Sequence, residues 1–304
     1  MRIIVMGQQA FGKDVLSKIV DSGADTVVAV FCEPDKESKP FDPIKELALS
    51  LDIPVYQPNN FQDEEVLSIM KRLNSDLMLM AFVNLFVPES FCAIPKLGSI
   101  CFHPSLLPLH RGPSAVNWPI IMGSKKSGFS WFYPTDGLDE GDILLSKECT
   151  IEANDTVIDL YFKKIYPEAV DSASEVCELF RSGNPPRIKQ HEEFATYERR
   201  CTKKHSKIDW HKPVQQVYNL IRGTNPAPGA WAYLNGKVVS IFDCELVPGD
   251  GVSGRIIKIS SDGVTVQCIG GRILIKKVRL DGVEKKLAGV WAEEIDLKEK
   301  TDWE

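Results

Sequence analysis

The chain has 304 residues, 43% of them hydrophobic and 26% charged, which is the balance of a soluble globular protein of about two domains at roughly 150 residues each. Disorder, collagen-like repetition and a membrane-spanning helix are excluded, since the longest apolar runs, Leu77–Val83 and Val27–Cys32, fall far short of the ~20 residues needed to cross a bilayer. Residues 1–199 hold 19 Lys and Arg against 29 Asp and Glu, while residues 200–304 hold 17 against 13, so the two parts of the chain differ in sign.

In chain order, Arg2–Met6 and Thr26–Phe31 have the apolar character of buried strands and are joined by a helix from about Phe11 to Asp21. Pro43–Leu51 and Asp63–Leu73 follow as helices, each leading to a strand, Val55–Tyr56 and Asp76–Ala81. Strands alternating with helices predict an α/β fold with a doubly wound, mostly parallel sheet, Rossmann-like in its crossovers. Ligands of such sheets bind at the carboxyl ends of the strands, which directs attention to the loops after Ala81, Phe102 and Tyr133. A helix is expected from Pro113 to Met122, strands at Gly128–Tyr133 and Ile143–Cys149, and a long helix over Thr156–Arg181 opened by the capping signal Asn154-Asp155-Thr156.

From Pro185 to about Asp209 the chain is polar with little periodicity, and a linker is expected there. Beyond a short helix, Pro213–Arg222, come Ala230–Leu234, Val238–Val247, Gly254–Ser260, Gly263–Cys268 and Arg272–Leu280, punctuated by Asn235-Gly236, Asp262-Gly263 and Gly270-Gly271. Short strands at this spacing predict a small β-barrel, OB-like in type. The expected division is residues 1–200 as a catalytic domain and 201–304 as the C-terminal barrel.

Eight cysteines lie far apart with no C-x-x-C pair, which fits a reducing, cytoplasmic setting better than zinc or redox chemistry. The first glycine loop, Gly7 to Gly12, follows a strand and opens a helix but lacks the middle glycine of a dinucleotide fingerprint, so a tight βα turn is favoured over an NAD site. At Gly98–Pro108 an apolar strand delivers His103 to its carboxyl end between stiffening prolines, where an imidazole can act as acid or base. Thr135–Asp142 packs four acids into eight positions. The register of a calcium loop is absent, leaving an acidic turn or a carboxylate that faces His103 and tunes it.

His103-Pro104-Ser105-Leu106-Leu107-Pro108 with Arg111-Gly112 beyond it, Trp118, and Asp136-Gly137-Leu138-Asp139-Glu140-Gly141-Asp142 resemble the signature of the formyltransferase family that uses 10-formyltetrahydrofolate. The likeness extends over nearly the whole chain, through Ser114–Trp118, Ala195–Glu198, Lys207–Trp210 and Pro228–Trp231. Within the family it is nearest to the hydrolase (formyltransferase) domain of 10-formyltetrahydrofolate dehydrogenase, with methionyl-tRNA formyltransferase as the next relative. The resemblance implies His103 as general acid/base and Asp139 as catalytic aspartate. It also implies a folate cradle at Leu85, Phe86 and Val87 and along the 134–139 loop, including Pro134, Asp136 and Asp139. No metal and no NAD are expected on this chain.

Many members carry Asn two residues before the histidine, where its amide holds the oxyanion; here the residue is Cys101, which favours the dehydrogenase branch. Removing one oxyanion donor typically costs ~10²–10³ in rate. A nucleophilic role for Cys101 is weighed against that of a small buried hydrophobe, and the latter is favoured. In the tRNA-formylating relatives the loop after strand 2 is long and basic, whereas Glu33–Asp42 has four acids and two bases, which makes tRNA an unlikely partner. The expected reaction is transfer of the formyl group to water or to a thiol such as a carrier's phosphopantetheine arm, the carrier and an aldehyde-dehydrogenase domain being partners in a longer chain. Formylation of an amine, on methionyl-tRNA or on an amino sugar or natural product, is the alternative enzyme activity, and a folate-binding module without turnover is the non-enzyme one. Arg111 either holds the folate glutamate tail or caps local structure.

Overall fold

The computed structural model describes residues 1–280 and 283–303. Its elements run β1 (Arg2–Gly7), α1 (Gln9–Ser22), β2 (Thr26–Phe31), α2 (Pro43–Ser50), β3 (Val55–Tyr56), α3 (Glu64–Arg72), β4 (Leu77–Ala81), α4 (Glu89–Cys92), β5 (Ser99–His103), α5 (Asn117–Met122), β6 (Lys126–Phe132), β7 (Ile143–Thr150), α6 (Val157–Leu160) and α7 (Tyr166–Arg181). The rest is α8 (Val214–Gly223), β8 (Ala230–Leu234), β9 (Lys237–Ile241), β10 (Cys244–Val247), β11 (Ile256–Ser260), β12 (Gly263–Cys268), β13 (Gly271–Ile275), β14 (Lys277–Leu280), β15 (Lys286–Leu287) and α9 (Ala288–Glu294).

These form two compact units. The first comprises residues 1–112, 128–149 and 164–197, and the second comprises 113–127, 150–163 and 198–304. In unit 1 a sheet has the order β3-β2-β1-β4-β5-β6-β7, parallel from β3 through β5, with β6 antiparallel to β5. Every residue of β4 is buried, as is all of β1 after Arg2, the pattern of central strands covered on both faces. Helix α1 lays Phe11, Val15, Leu16 and Ile19 against the core at helical spacing and stops at Gly23, whose positive φ of 63° lets its N–H reach Val20 O. The tight first turn has a packing cause: a Cβ on Gly7 would stand 2.3 Å from Ala81 O of the neighbouring strand.

Two helices differ from expectation. The Pro113–Met122 helix is confined to α5, residues 113–116 being turn. The Thr156–Arg181 helix is interrupted by a π turn at Tyr161–Ile165, just before Pro167, which has no N–H for the carbonyl one turn back. The expected capping signal is present, with Thr156 and Asp159 forming a reciprocal capping box.

Unit 2 has two four-stranded antiparallel sheets, β10-β13-β12-β11 and β15-β14-β9-β8. Val238–Val247 and Arg272–Leu280, each expected as one strand, break at Phe242-Asp243 and at Lys276 and pass from one sheet to the other. The two corners pin each other, with Lys276 N donating to Asp243 O at 2.7 Å and Phe242 N to Lys277 O at 3.1 Å. Trp210, Trp291 and Trp303 join Ile221, Ile241, Val266 and Ile275 in the core between the elements of this unit. Helix α5 groups here because it packs on α8: the Asn117 amide donates to Gly223 O at 2.9 Å, and Gly223 abuts Ile121. Among the described residues no helix is long and apolar enough to cross a membrane.

Gly7→Ala should destabilise the protein by about 1–3 kcal/mol, because the clashing atom is backbone and cannot turn aside. Thermal unfolding checks this; an unchanged Tm would show that β1 and β4 can separate at that point.

Candidate active site

Strand β5 lies where the sheet changes direction, parallel to β4 on one side and antiparallel to β6 on the other. The pleat puts Phe102 on one face, against Phe11, Phe129 and Trp131, and places Cys101 and His103 together on the other. Past His103 the chain folds back on itself. Ser130 Oγ receives Leu107 N at 3.1 Å and donates to Ser105 O at 2.9 Å, while Ser105 Oγ donates to Leu109 O at 2.6 Å. The fold-back sets the His110 carbonyl 2.9 Å from His103 Nε2. A carbonyl oxygen only accepts, so Nε2 carries the proton at this contact and Nδ1 is the nitrogen turned the other way.

On that side stands Asp139, its Oδ2 3.6 Å from His103 Nδ1. The same oxygen accepts the Gly112 N–H at 2.8 Å. Asp139 itself has φ of +55°, a region disfavoured for a residue with a Cβ, and the residue after β4, Phe82, has φ of +64°. Strained backbone at the carboxyl ends of a sheet is the kind of outlier that marks functional sites. The loop that carries Asp139 is closed at its base by Tyr133 N donating to Asp142 O at 2.9 Å, and Gly141 must be glycine there because a Cβ would fall 1.6 Å from Tyr133 O.

Each acid of this loop has its own protein partner rather than a shared focus. Asp136 Oδ1 accepts Glu89 N at 2.9 Å at the start of α4, Glu140 accepts the Tyr197 hydroxyl at 2.9 Å, and Asp142 lies 3.8 Å from the Arg187 Nε. Among the described residues no group of three or more His, Cys, Asp or Glu is placed to hold a metal ion.

The Asp136–Glu89 bond brings the 134–139 loop up to the 85–89 segment, so the six residues named for the folate cradle belong to two adjoining loops. Their side chains are unequal. Phe86 is 67% exposed, Leu85 is about one-third exposed and Pro134 is half-buried, while Val87 is 7% exposed and packs into the core with Phe91 and Met80. The Val87 side chain is therefore turned into the core, and only its backbone is left for a ligand.

Arg111 takes the local of its two expected roles. It is fully buried, and its guanidinium donates to Gln190 Oε1, to both oxygens of Glu192 and to the Tyr197 hydroxyl. Glu192 holds the guanidinium charged, and in return its carboxyl is held below the usual carboxylate range. Gln190, which the sequence does not single out, donates from Nε2 to Asp139 O at 2.8 Å and to Gly141 O at 2.7 Å. No sequence signal marks it, because it sits in the aperiodic stretch that follows α7.

Cys101 is packed beside Leu107, Phe132 and Ile143. Burial first, and then the Asp139 carboxylate, push its thiol well above the ordinary range.

Comparison with known proteins places the chain in a family. Residues 1–169 match the formyl transferase family and residues 200–293 its C-terminal domain. The chain belongs to the formyl transferase family. It is 38% identical over 264 residues to the mitochondrial 10-formyltetrahydrofolate dehydrogenase of Mus musculus, covering 85% of this chain and 28% of that protein. It is 33% identical over 297 residues to the methionyl-tRNA formyltransferase of Clostridioides difficile, covering 95% of both. In fold this formyl transferase is similar to HypX from Aquifex aeolicus, solved with tetrahydrofolic acid, at a TM-score of 0.69 and 16% identity over 99% of this chain and 48% of that one. It is equally similar to the sugar 3N-formyl transferase WlaRD, at 0.69 and 16% over 93% and 99%. The chain thus spans just over a quarter of the length of the dehydrogenases it matches. The dehydrogenases it matches are named for 10-formyltetrahydrofolate, and the match lies within the formyl transferase family.

Because its thiol is held protonated, Cys101 of this formyl transferase should alkylate far more slowly at pH 8 than a free thiol, and faster as the pH is raised. Iodoacetamide labelling followed by peptide mass spectrometry measures this; rapid labelling at pH 8 would show an ionised thiol.

Proposed function

We propose that this formyl transferase passes the formyl group of 10-formyltetrahydrofolate to water or to a thiol, with His103 and Asp139 as its catalytic residues. The observation that carries this is the pairing of His103 Nδ1 with Asp139 Oδ2 at the carboxyl end of β5, with the other ring nitrogen tied to His110 O. Attack on the formyl carbon puts negative charge on the carbonyl oxygen, and a protonated imidazole donating from Nδ1 offsets it. The attacking water or thiol must lose a proton, and Asp139 is the carboxylate beside the imidazole that can take it. The N10–carbon bond then breaks and N10 takes the proton that Asp139 received from the nucleophile, giving tetrahydrofolate and either formate or a formyl thioester.

The folate is held by Leu85 and Phe86, the backbone at Val87, and the loop through Pro134, Asp136 and Asp139. Exposed apolar side chains beside a polar loop suit a ring that is flat and apolar on its faces and rich in donors and acceptors at its edge. Residues 1–200 supply this chemistry and residues 201–304 the smaller C-terminal domain. No NAD is assigned to this chain in the proposed reaction, the Gly7–Gly12 turn having Gln9 in place of the middle glycine of a dinucleotide fingerprint. With a thiol as acceptor, the partners are a phosphopantetheine carrier domain and an aldehyde-dehydrogenase domain within a longer chain.

Methionyl-tRNA is the second acceptor to consider, on the strength of the Clostridioides difficile relative that matches along 95% of both chains. Against it stands the 33–42 loop. It holds four acids and two bases, and one of the bases, Lys36, is paired with Glu33 at 2.9 Å, so the segment offers little positive charge to phosphates.

Wild-type protein should release tetrahydrofolate from 10-formyltetrahydrofolate, faster with added thiol. His103→Ala and Asp139→Ala should each lose about 10²–10⁴-fold in rate, and Cys101→Ser should stay within severalfold of wild type. A rate that appears only when an amine or initiator tRNA is supplied would replace water and thiol by that acceptor.

A further inference from the structure

We infer that Gln190, anchored by the buried Arg111, is a positioning residue that holds Asp139 at its working distance from His103. The inference rests on Asp139 acting in the proposed reaction. The Gln190 amide can lie only one way round. Its oxygen faces the Nε and Nη2 of Arg111, at 3.1 and 2.7 Å, and a guanidinium only donates. Its nitrogen faces the carbonyls of Asp139 and Gly141, at 2.8 and 2.7 Å, and carbonyls only accept.

Arg111 in turn is immobilised. Glu192 and Tyr197 take the rest of its guanidinium, and its backbone N–H donates to Thr196 O at 2.9 Å. The 188–196 segment is stitched to both loops of the site: Ile188 and Ile143 exchange backbone bonds at 2.7 and 2.9 Å, Thr196 N donates to Pro108 O at 3.1 Å, and His110 N donates to Thr196 Oγ1 at 2.8 Å.

Asp139 is therefore held at two points that both lead to Arg111. Its carbonyl is gripped by Gln190, and its carboxylate accepts the N–H of Gly112, the residue next to Arg111. Between these grips the backbone of Asp139 keeps a φ of +55°, which a residue with a side chain leaves when nothing holds it. Removing the Gln190 amide frees the carbonyl end, and the carboxylate moves off the imidazole.

Gln190→Met removes both polar ends at similar volume, while Gln190→Glu keeps an oxygen for Arg111 and loses the donor to the two carbonyls. Each variant should lower kcat at least tenfold, with KM for 10-formyltetrahydrofolate within about twofold; Gln190→Met, which leaves a face of the buried guanidinium unpaired, should lower Tm more than Gln190→Glu, and both are assayed well below their Tm. In an Asp139→Ala background Gln190→Met should cost almost nothing further, since its effect passes through Asp139. A crystal structure of Gln190→Met should show the His103–Asp139 separation widened. An unchanged separation, or an equal loss with and without Asp139, overturns the positioning role; so does a loss of kcat that only follows a fall in Tm. If Gln190→Met does not fold, Gln190→Glu gives the same test. Failure of the wild-type protein to turn over 10-formyltetrahydrofolate would instead overturn the proposed reaction, and the separation measured in the variant would still decide whether Gln190 sets it.

Discussion

One carboxylate oxygen, Asp139 Oδ2, meets two requirements: it accepts the Gly112 N–H at 2.8 Å and stays 3.6 Å from His103 Nδ1. The first contact is short and directed and fixes the second, which is too long for a hydrogen bond and would otherwise drift. Much of unit 1 serves that placement. Strand β5 delivers the imidazole, the Ser105–Ser130 contacts curl the following loop until His110 O captures Nε2, and the β6–β7 loop rises from a base that tolerates only glycine at 141.

The charged groups around the site are each held by partners of their own. A guanidinium buried as completely as that of Arg111 is costly unless each face is paired, and here a carboxylate, an amide and a phenol share it. The acids of the 135–142 loop go separately to a helix start, a glycine N–H, a tyrosine and an arginine. Only the Arg187 guanidinium offsets a charge; the neutral donors instead fix where their carboxylates lie, which is how the acidic run works as a scaffold.

Much of this was legible in the sequence, for physical reasons. Buried parallel strands are continuous apolar runs, so β1, β2 and β4 stand out, and a strand ending in His-Pro announces a fixed imidazole. The sheet corners at Asp243 and Lys276 were not legible, because a chain passing between two sheets of one core keeps its apolar alternation. Neither β15 nor α9 was foreseen, although Ala288, Trp291 and Ala292 of α9 are buried. The role of Gln190 was invisible for a different reason: a side chain that binds backbone carbonyls leaves no mark on the residues it binds, and 51 positions separate it from Asp139.

Cys101 shows how the same carboxylate shapes what the site can accept. The thiol shares the face of β5 that carries His103, close enough to be drawn into the chemistry, yet burial and the Asp139 charge both disfavour its thiolate. A protonated thiol is a weak donor and a poor nucleophile, which argues against Cys101 as the group that takes the formyl. In the proposed reaction the accepting thiol comes from outside this strand and gives its proton to Asp139. Burial keeps the resident sulfur protonated and the Asp139 charge adds to it, so the carboxylate that opposes the Cys101 thiolate is the same one that serves as base in the proposed reaction.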